Sequence, residues 1–389
     1  MHSRADRLPS LTGLRWFAAL FVFVCHIAQQ GIFSDPRVAS ALGRLTSLGS
    51  IAVSLFFVLS GYVLTWSARD GDSVGSFWRR RIAKIYPLHF VTFCIAGVIV
   101  LSLSEPVLPG GSVWDGMVSN LLLVHSWLPD VSIVSGFNTP SWSLSCELAF
   151  YFTFPLWYRL LRRVRAQRLW WYAAGLAVAV MCLPFVAGLL PHSAEVAPGM
   201  PLREMWFTYW FPPVRALEFI LGIVLALLQR ERLWRGPGTG TAVLLLAGAF
   251  ALNQVVPPMF TFTATTVVPV ALLIAAVADD DVRGRRTGLS STVLIRLGEW
   301  SFAFYLVHFL VIRYGHRLLG GEQGYARQWD TAAALGVTVA ALGTTVLASA
   351  LLHIFVERPC MTLLRGRRTP GDSVPAPGTD SHKALLERT

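Results

Sequence analysis

The sequence predicts an all-α fold, a polytopic membrane bundle of about ten transmembrane helices with both termini in the cytoplasm. Three observations predict it. Of the 389 residues, 54% are hydrophobic and only 14% are charged, against roughly 25% charged in a soluble domain. Apolar runs of roughly 20 residues, the length that spans a bilayer, recur at 12–32, 47–67, 84–104, 142–161, 169–190, 211–229, 241–257, 260–278, 294–315 and 331–356. Lysine and arginine alternate between the connecting segments. With a cytoplasmic N-terminus, the inner segments hold 24 of the 33, the outer segments five, and four lie within or at the ends of spans. That asymmetry satisfies the positive-inside rule at every loop.

The elements follow in chain order. Arg4 and Arg7 precede the first apolar run as in a signal peptide, but no small-residue cleavage site follows, so the run is expected to stay as a first span. The third span is entered through the basic stretch "SFWRRRIAKIYPLHF". The largest outer segment, 105–141, is rich in Gly, Pro and Ser. Within it, residues 113–128 are too short and too polar to span and suit a lid or re-entrant piece. The fourth span opens "NTPSWSLSCELAFYF". Asn138 or Thr139 can cap it, with Pro140 in the first turn, where its missing N–H costs nothing. The seventh and eighth spans are joined by the tight turn "VVPPMF". Residues 1–365 read as one transmembrane domain and 366–389, polar and rich in Pro, Gly, Ser and Thr, as a disordered tail.

Several functional classes lose support at this stage. The net charge of +11 sits in short clusters between apolar runs, as membrane topology requires, and no basic, aromatic-interleaved soluble domain offers a nucleic-acid surface. Cys25, Cys94, Cys146, Cys182 and Cys360 are scattered without metal spacing or a paired framework. They read as small hydrophobes, and no metal site is expected. No internal repeat supports an inverted-repeat transporter.

The chemistry-bearing residues lie where lipid would penalise them. In "LRWFAALFVFVCHI", Arg15 and His26 are eleven residues apart, which is three helical turns and about 16 Å along one stripe. Arg15 alone reads as a snorkelling interface residue and His26 alone as a packing residue. Ionisable groups at depth are equally functional candidates. Glu147 lies roughly 9 Å into the fourth span, the same depth from the outer side as His26. If the two helices pack together, the pair forms a base and its orienter, or a substrate clamp. Ser143 and Tyr151 lie one turn either side of Glu147. Arg80, Arg81 and Lys84 contribute positive-inside charge. With Arg15, Arg81 and Lys84 can also form a pocket for phosphates at the inner edge, from which a long phosphate-headed ligand threads its tail toward His26.

Together these residues resemble the acyltransferase-3 family of integral membrane O-acyltransferases, over most of residues 8–360. The resemblance is carried by Arg15 and His26 in "LTGLRWFAALFVFVCHI", then "SLFFVLSGYVLT", "WRRRIAKIYP", "PSWSLSCELAFYF" with Glu147, "RALEFILG", "GEWSFAFYLVHF" with His308, and "VERP". Where the family often has Arg-x-x-Arg, this chain has Arg81 followed by Lys84, and lysine lacks the bidentate fork. No esterase-like domain follows the last span, so the short, stand-alone form of the family is expected. The opening "RLPSLTGLRWFAALFVFVCHIAQQ" resembles actinobacterial members that acylate macrolide antibiotics.

The resemblance implies transfer of an acyl group from acyl-CoA, acetyl or propionyl or similar, to a hydroxyl. No tightly bound cofactor is implied. Arg15, Arg80, Arg81 and Lys84 would bind the donor, His26 would be the general base, and Glu147 would hold its tautomer or bind the acceptor. Ser60 and Gly61 are oxyanion-donor candidates, although a serine at a place like that of Ser60 is more often a helix-packing residue. His308 either lines the same cavity or packs, and Arg215 with Glu218 reads as a structural ion pair. The partners implied are the donor, a macrolide or other hydroxylated acceptor, and the bilayer, with no nucleic acid. The rival readings are O-acetylation of a cell-surface polysaccharide or glycolipid, and a transporter using His26 and Glu147 as a proton relay.

Overall fold

The computed structural model describes residues 8–68, 71–102, 113–320 and 327–364. Helices occupy all ten apolar stretches: α1 (Pro9–Gln30), α2 (Ser47–Trp66), α3 (Val74–Ser102), α4 (Trp142–Leu161), α5 (Leu169–Met181), α6 (Pro212–Arg230), α7 (Thr239–Leu252), α8 (Val267–Val282), α9 (Thr292–Leu318) and α10 (Thr331–Leu352). Six helical runs are long and apolar enough to cross a membrane: Pro9–Gln30, Pro36–Trp66, Val74–Ser102, Leu202–Arg230, Thr292–Leu318 and Thr331–Leu363. The chain is therefore an all-α, multi-pass membrane protein. Its only sheet among the described residues is a two-stranded antiparallel pair, Glu195–Ala197 with Met200–Pro201. The disordered tail expected from 366 onward lies outside the described residues, as do residues 105–112 of the 105–141 segment.

The interior is organised around α2 and α6, which are mostly buried, while α10 is mostly exposed at the rim. α2 and α6 touch backbone to backbone. A Cβ at Gly61 would stand 1.9 Å from the Phe219 carbonyl oxygen, and one at Gly222 would stand 2.0 Å from that of Val58. Only residues without a side chain permit that approach. α1 packs against α2 and α9, α4 against α6 and α3, and α3 also against α9.

α1 is held firmly at its start. No side chain of its own turn caps it. Instead Ser10 N–H and Ser10 Oγ–H donate to the Asp281 carboxylate, at 2.9 and 2.7 Å, supplying an acceptor to the otherwise unsatisfied first turn. Gly13 and Gly298 lie so close to the backbone of Leu289 and Thr12 that a Cβ at either would meet a carbonyl oxygen at 2.0 and 1.9 Å. α1 ends on Gly31 in the left-handed conformation (φ 63°), the usual helix stop.

The segment before α4 differs from the expectation. Neither Asn138 nor Thr139 caps the helix. Asn138 Nδ2 donates to the Leu306 carbonyl at 2.9 Å, and Thr139 Oγ1 to that of Ser135 at 2.8 Å. Residues 113–141 fold inward as short helical turns linked by hydrogen bonds between buried polar groups. Asn120 Nδ2 donates to Ser141 Oγ (2.8 Å), which meets His125 Nε2 (3.3 Å), and His89 Nε2 reaches the Asn120 carbonyl (3.0 Å). α4 consequently begins beside Leu306, midway along α9, and not at the surface of the bundle.

Candidate functional site

A cavity of about 130 Å³ is enclosed by α1, α2, α3, α4 and α9. Arg15, Arg81 and Lys84 enter it from the end of the bundle at which α1 begins, Ser60 comes from α2, and Glu147 and Tyr151 come from α4. Phe56, Ser143 and Tyr305 line it as well. The helical phase explains the selection. Arg81 and Lys84, three apart, share a face, whereas Arg80 is turned roughly 100° away. Arg80 lies outside the cavity and pairs with Asp72 at 2.7 Å on the exposed surface. It is not brought together with Arg15, Arg81 and Lys84. Gly61 stands outside the cavity for the same reason. It faces the α6 backbone, and its neighbour Ser60 faces the cavity.

The two carboxylates at the cavity each have a close partner. Tyr151 Oη–H donates to Glu147 Oε2, and the Trp78 indole N–H ties α3 to the Tyr151 carbonyl at 3.1 Å. Lys84 Nζ donates to Glu357 Oε1, while the other carboxylate oxygen of Glu357 meets His353 Nδ1 at 3.0 Å. A π-helical turn over His353–Glu357 places Glu357 against α3, with its side chain fully buried. Glu357 lies in "VERP" and has no role among the residues expected at the site. An acid in an apolar run opposite an internal lysine was the available signal.

His26 and Glu147 do not meet. Glu147 lies nine residues, or about 13 Å of helix, beyond Asn138. Since Asn138 already sits at the level of Leu306, the carboxylate is carried deep among the arginines and away from His26. The equal-depth expectation assumed that α4 starts at the bundle surface. The partner of His26 is instead His308 of α9. His26 Nδ1 and His308 Nε2 are 2.7 Å apart, with ring centroids 5.0 Å apart and ring planes 21° from parallel. His26 is partly exposed and His308 is fully buried. Neither lines the cavity, which ends at Val53, Phe56 and Tyr305, and the rings of Phe56 and Tyr305 meet edge to face at 5.7 Å. Tyr305 spans both regions. Its hydroxyl accepts from Ser143 Oγ–H at 2.8 Å, and its ring is 5.9 Å from that of His308.

Arg215 and Glu218 form an ion pair at 2.9 Å with side chains no more than 1% exposed. The guanidinium lies over Phe57 at 4.9 Å and Tyr209 at 5.5 Å, so an aromatic cage replaces the lost water.

The comparisons agree with this architecture. The family model described as "Acyltransferase domain", acyltransferase 3, matches residues 8–353. Acyltransferase MdmB of Streptomyces mycarofaciens is 67% identical over 385 residues, 99% of each chain. A Staphylococcus aureus protein named as an O-acetyltransferase is 23% identical over 340 residues, 79% of this chain and 51% of the relative. A Bacillus subtilis protein, YrhL, named as a peptidoglycan O-acetyltransferase, is 28% identical over 239 residues, 57% of this chain and 33% of its own. No solved structure matches the chain. A match over nearly the whole described bundle, and two-thirds identity along the full length of an acyltransferase, place this chain in the acyltransferase-3 family as an acyltransferase.

Proposed function

We propose that the protein moves an acyl group from acyl-CoA, acetyl or propionyl in length, to a hydroxyl of a macrolide antibiotic, with His26 as general base. The observation that carries this reading is the cation-lined cavity that stops at Phe56 and Tyr305, just short of the His26–His308 pair. The bundle sits with both termini in the cytosol, as the distribution of Lys and Arg directs, so the cationic end faces the donor pool. Arg15 and Arg81 hold the donor's phosphates, arginine forks matching phosphate oxygens. Lys84, already paired with Glu357, adds less. The cavity is too small for the whole donor and suits the thin pantetheine arm. Ser60 and Glu147 face that arm and take its amide groups.

The reaction balances within these groups. The acceptor hydroxyl gives its proton to His26 as its oxygen bonds the acyl carbon. The carbon–sulfur bond breaks, and the departing thiolate recovers the proton from the imidazolium. Two findings support the macrolide as acceptor: the opening segment, and the 67% identity to a Streptomyces acyltransferase. The name of the Bacillus relative, which specifies peptidoglycan, favours a second acceptor class, a cell-surface glycan.

The test is purified protein in lipid nanodiscs with radiolabelled acetyl- or propionyl-CoA and a hydroxylated macrolide. The expected result is a product heavier by one acyl group, lost in His26→Ala while the protein still inserts and elutes as a folded species. Label that never leaves CoA for macrolide or glycan, with dissipation of a solute gradient, would favour transport and end the reading. Full turnover in His26→Ala would remove the base assignment.

A further inference from the structure

We propose that His308 is a positioning residue that fixes the tautomer of His26, so that Nε2 of His26 is the atom that takes the acceptor's proton. This rests on the acyl-transfer reading and deepens it. Two carbonyls fix the first proton. His308 Nδ1 lies 2.7 Å from the carbonyl oxygen of Tyr305 and 3.3 Å from that of Phe304. A carbonyl only accepts, so His308 Nδ1 carries a hydrogen. In the neutral imidazole the other nitrogen, Nε2, then holds a lone pair. That lone pair faces His26 Nδ1 at 2.7 Å, so His26 Nδ1 must be the donor. His26 is left with its own lone pair on Nε2.

The rest of the surroundings keeps the chain of bonds in place. His308 is fully buried and lies parallel to the Phe304 ring, with a 4° angle and centroids 6.1 Å apart. Phe309 meets the His26 ring edge-on at 5.0 Å. His26 keeps partial exposure, which an atom meeting substrate requires. As His26 takes a proton its Nδ1–H becomes a charged donor, and the bond to His308 strengthens. That is the stage at which stabilisation accelerates a reaction. The carbonyl of Tyr305 thus sets the state of His26 through His308, without a carboxylate in the chain.

The experiment compares His308→Gln, His308→Asn and His308→Leu in the full chain in nanodiscs. Glutamine places a side-chain oxygen where Nε2 of His308 stood and still accepts from His26. Asparagine is polar but falls short of that point, and leucine offers no acceptor. We expect His308→Leu and His308→Asn to lose turnover by about 100-fold, the lower end of what a misoriented base costs, with the KM for acyl-CoA within about threefold of wild type. His308→Gln is expected to recover most of the loss.

Histidine-labelled ¹⁵N NMR, with the His26 signals assigned by difference from His26→Ala, gives a readout besides activity. Wild type is expected to show a protonated Nδ1 and a lone-pair Nε2 at His26, and His308→Leu a mixture. Equal losses in the glutamine and asparagine variants, undiminished turnover in folded His308→Leu, or a wild-type His26 protonated at Nε2 would each overturn the proposal. If leucine prevents folding, glutamine against asparagine decides. Full turnover in His26→Ala would remove the base reading alone, since the NMR result still judges the positioning.

Discussion

Removing either partner of the Lys84–Glu357 pair should have unequal consequences, and the structure says which is worse. The Glu357 side chain is fully buried, whereas that of Lys84 is 25% exposed toward the cavity. Lys84→Met therefore strands a carboxylate with no route to water. A stranded buried charge costs about 3–5 kcal/mol. The contact with His353 Nδ1, 3.0 Å away, remains in this variant and offsets part of the cost, leaving about 3 kcal/mol as the working figure. Glu357→Gln strands an ammonium that can turn into the cavity and be hydrated, which costs about 1 kcal/mol, nearer to the loss of a partly exposed pair. The double variant should be milder than Lys84→Met alone, because no charge is left unpaired. The assay is denaturant-induced unfolding of the four proteins in mixed micelles, with acyl-CoA titration alongside. In Glu357→Gln the released lysine adds a free positive charge to the cavity, so the half-saturating donor concentration should fall. The reasoning is refuted if Glu357→Gln is the more damaging single change, if the two changes add, or if donor affinity weakens in Glu357→Gln.

Three further outcomes follow from the same geometry. Arg15→Ala should raise the half-saturating acyl-CoA concentration by about tenfold or more, the loss of a charge-assisted bond to phosphate, with kcat nearly unchanged; initial-rate kinetics check it. Gly61→Ala should destabilise the bundle by about 3 kcal/mol, since a Cβ 1.9 Å from the Phe219 oxygen forces α2 and α6 apart, whereas Ser60→Ala should leave stability unaltered and change only kinetics; paired unfolding curves separate the two. Asp281→Ala should cost about 1–2 kcal/mol by removing the acceptor from the first turn of α1, visible as faster hydrogen exchange at Ser10 and Leu11.

What was legible in the sequence was whatever a single helix determines. Apolar runs located the helices because an unpaired backbone cannot cross lipid, and the phase of the third span put Arg81 and Lys84 on one face. The same phase turned Arg80 away, a distinction that the 100° step per residue carries. Depth was not legible. It depended on residues 113–141 folding inward, where Asn120, Ser141 and His125 are linked by hydrogen bonds far from water. That moved the start of α4, and with it Glu147, away from His26. The His26–His308 contact joins residues 282 positions apart, a relation that arises only when α1 and α9 pack. Gly61 shows the converse. Its local motif resembled a site, and the neighbouring helix decided that it is a surface of contact.

The backbone contact between α2 and α6 leaves these helices no compliance. Phe56, Phe57, Ser60 and Leu64 of the cavity all project from that plate, and the plate cannot tilt to admit a bulkier guest without parting Gly61 from Phe219 and Gly222 from Val58. Differences in acyl length among enzymes sharing this plate must then be written in the size of the side chains it carries, as teeth are recut on a fixed key.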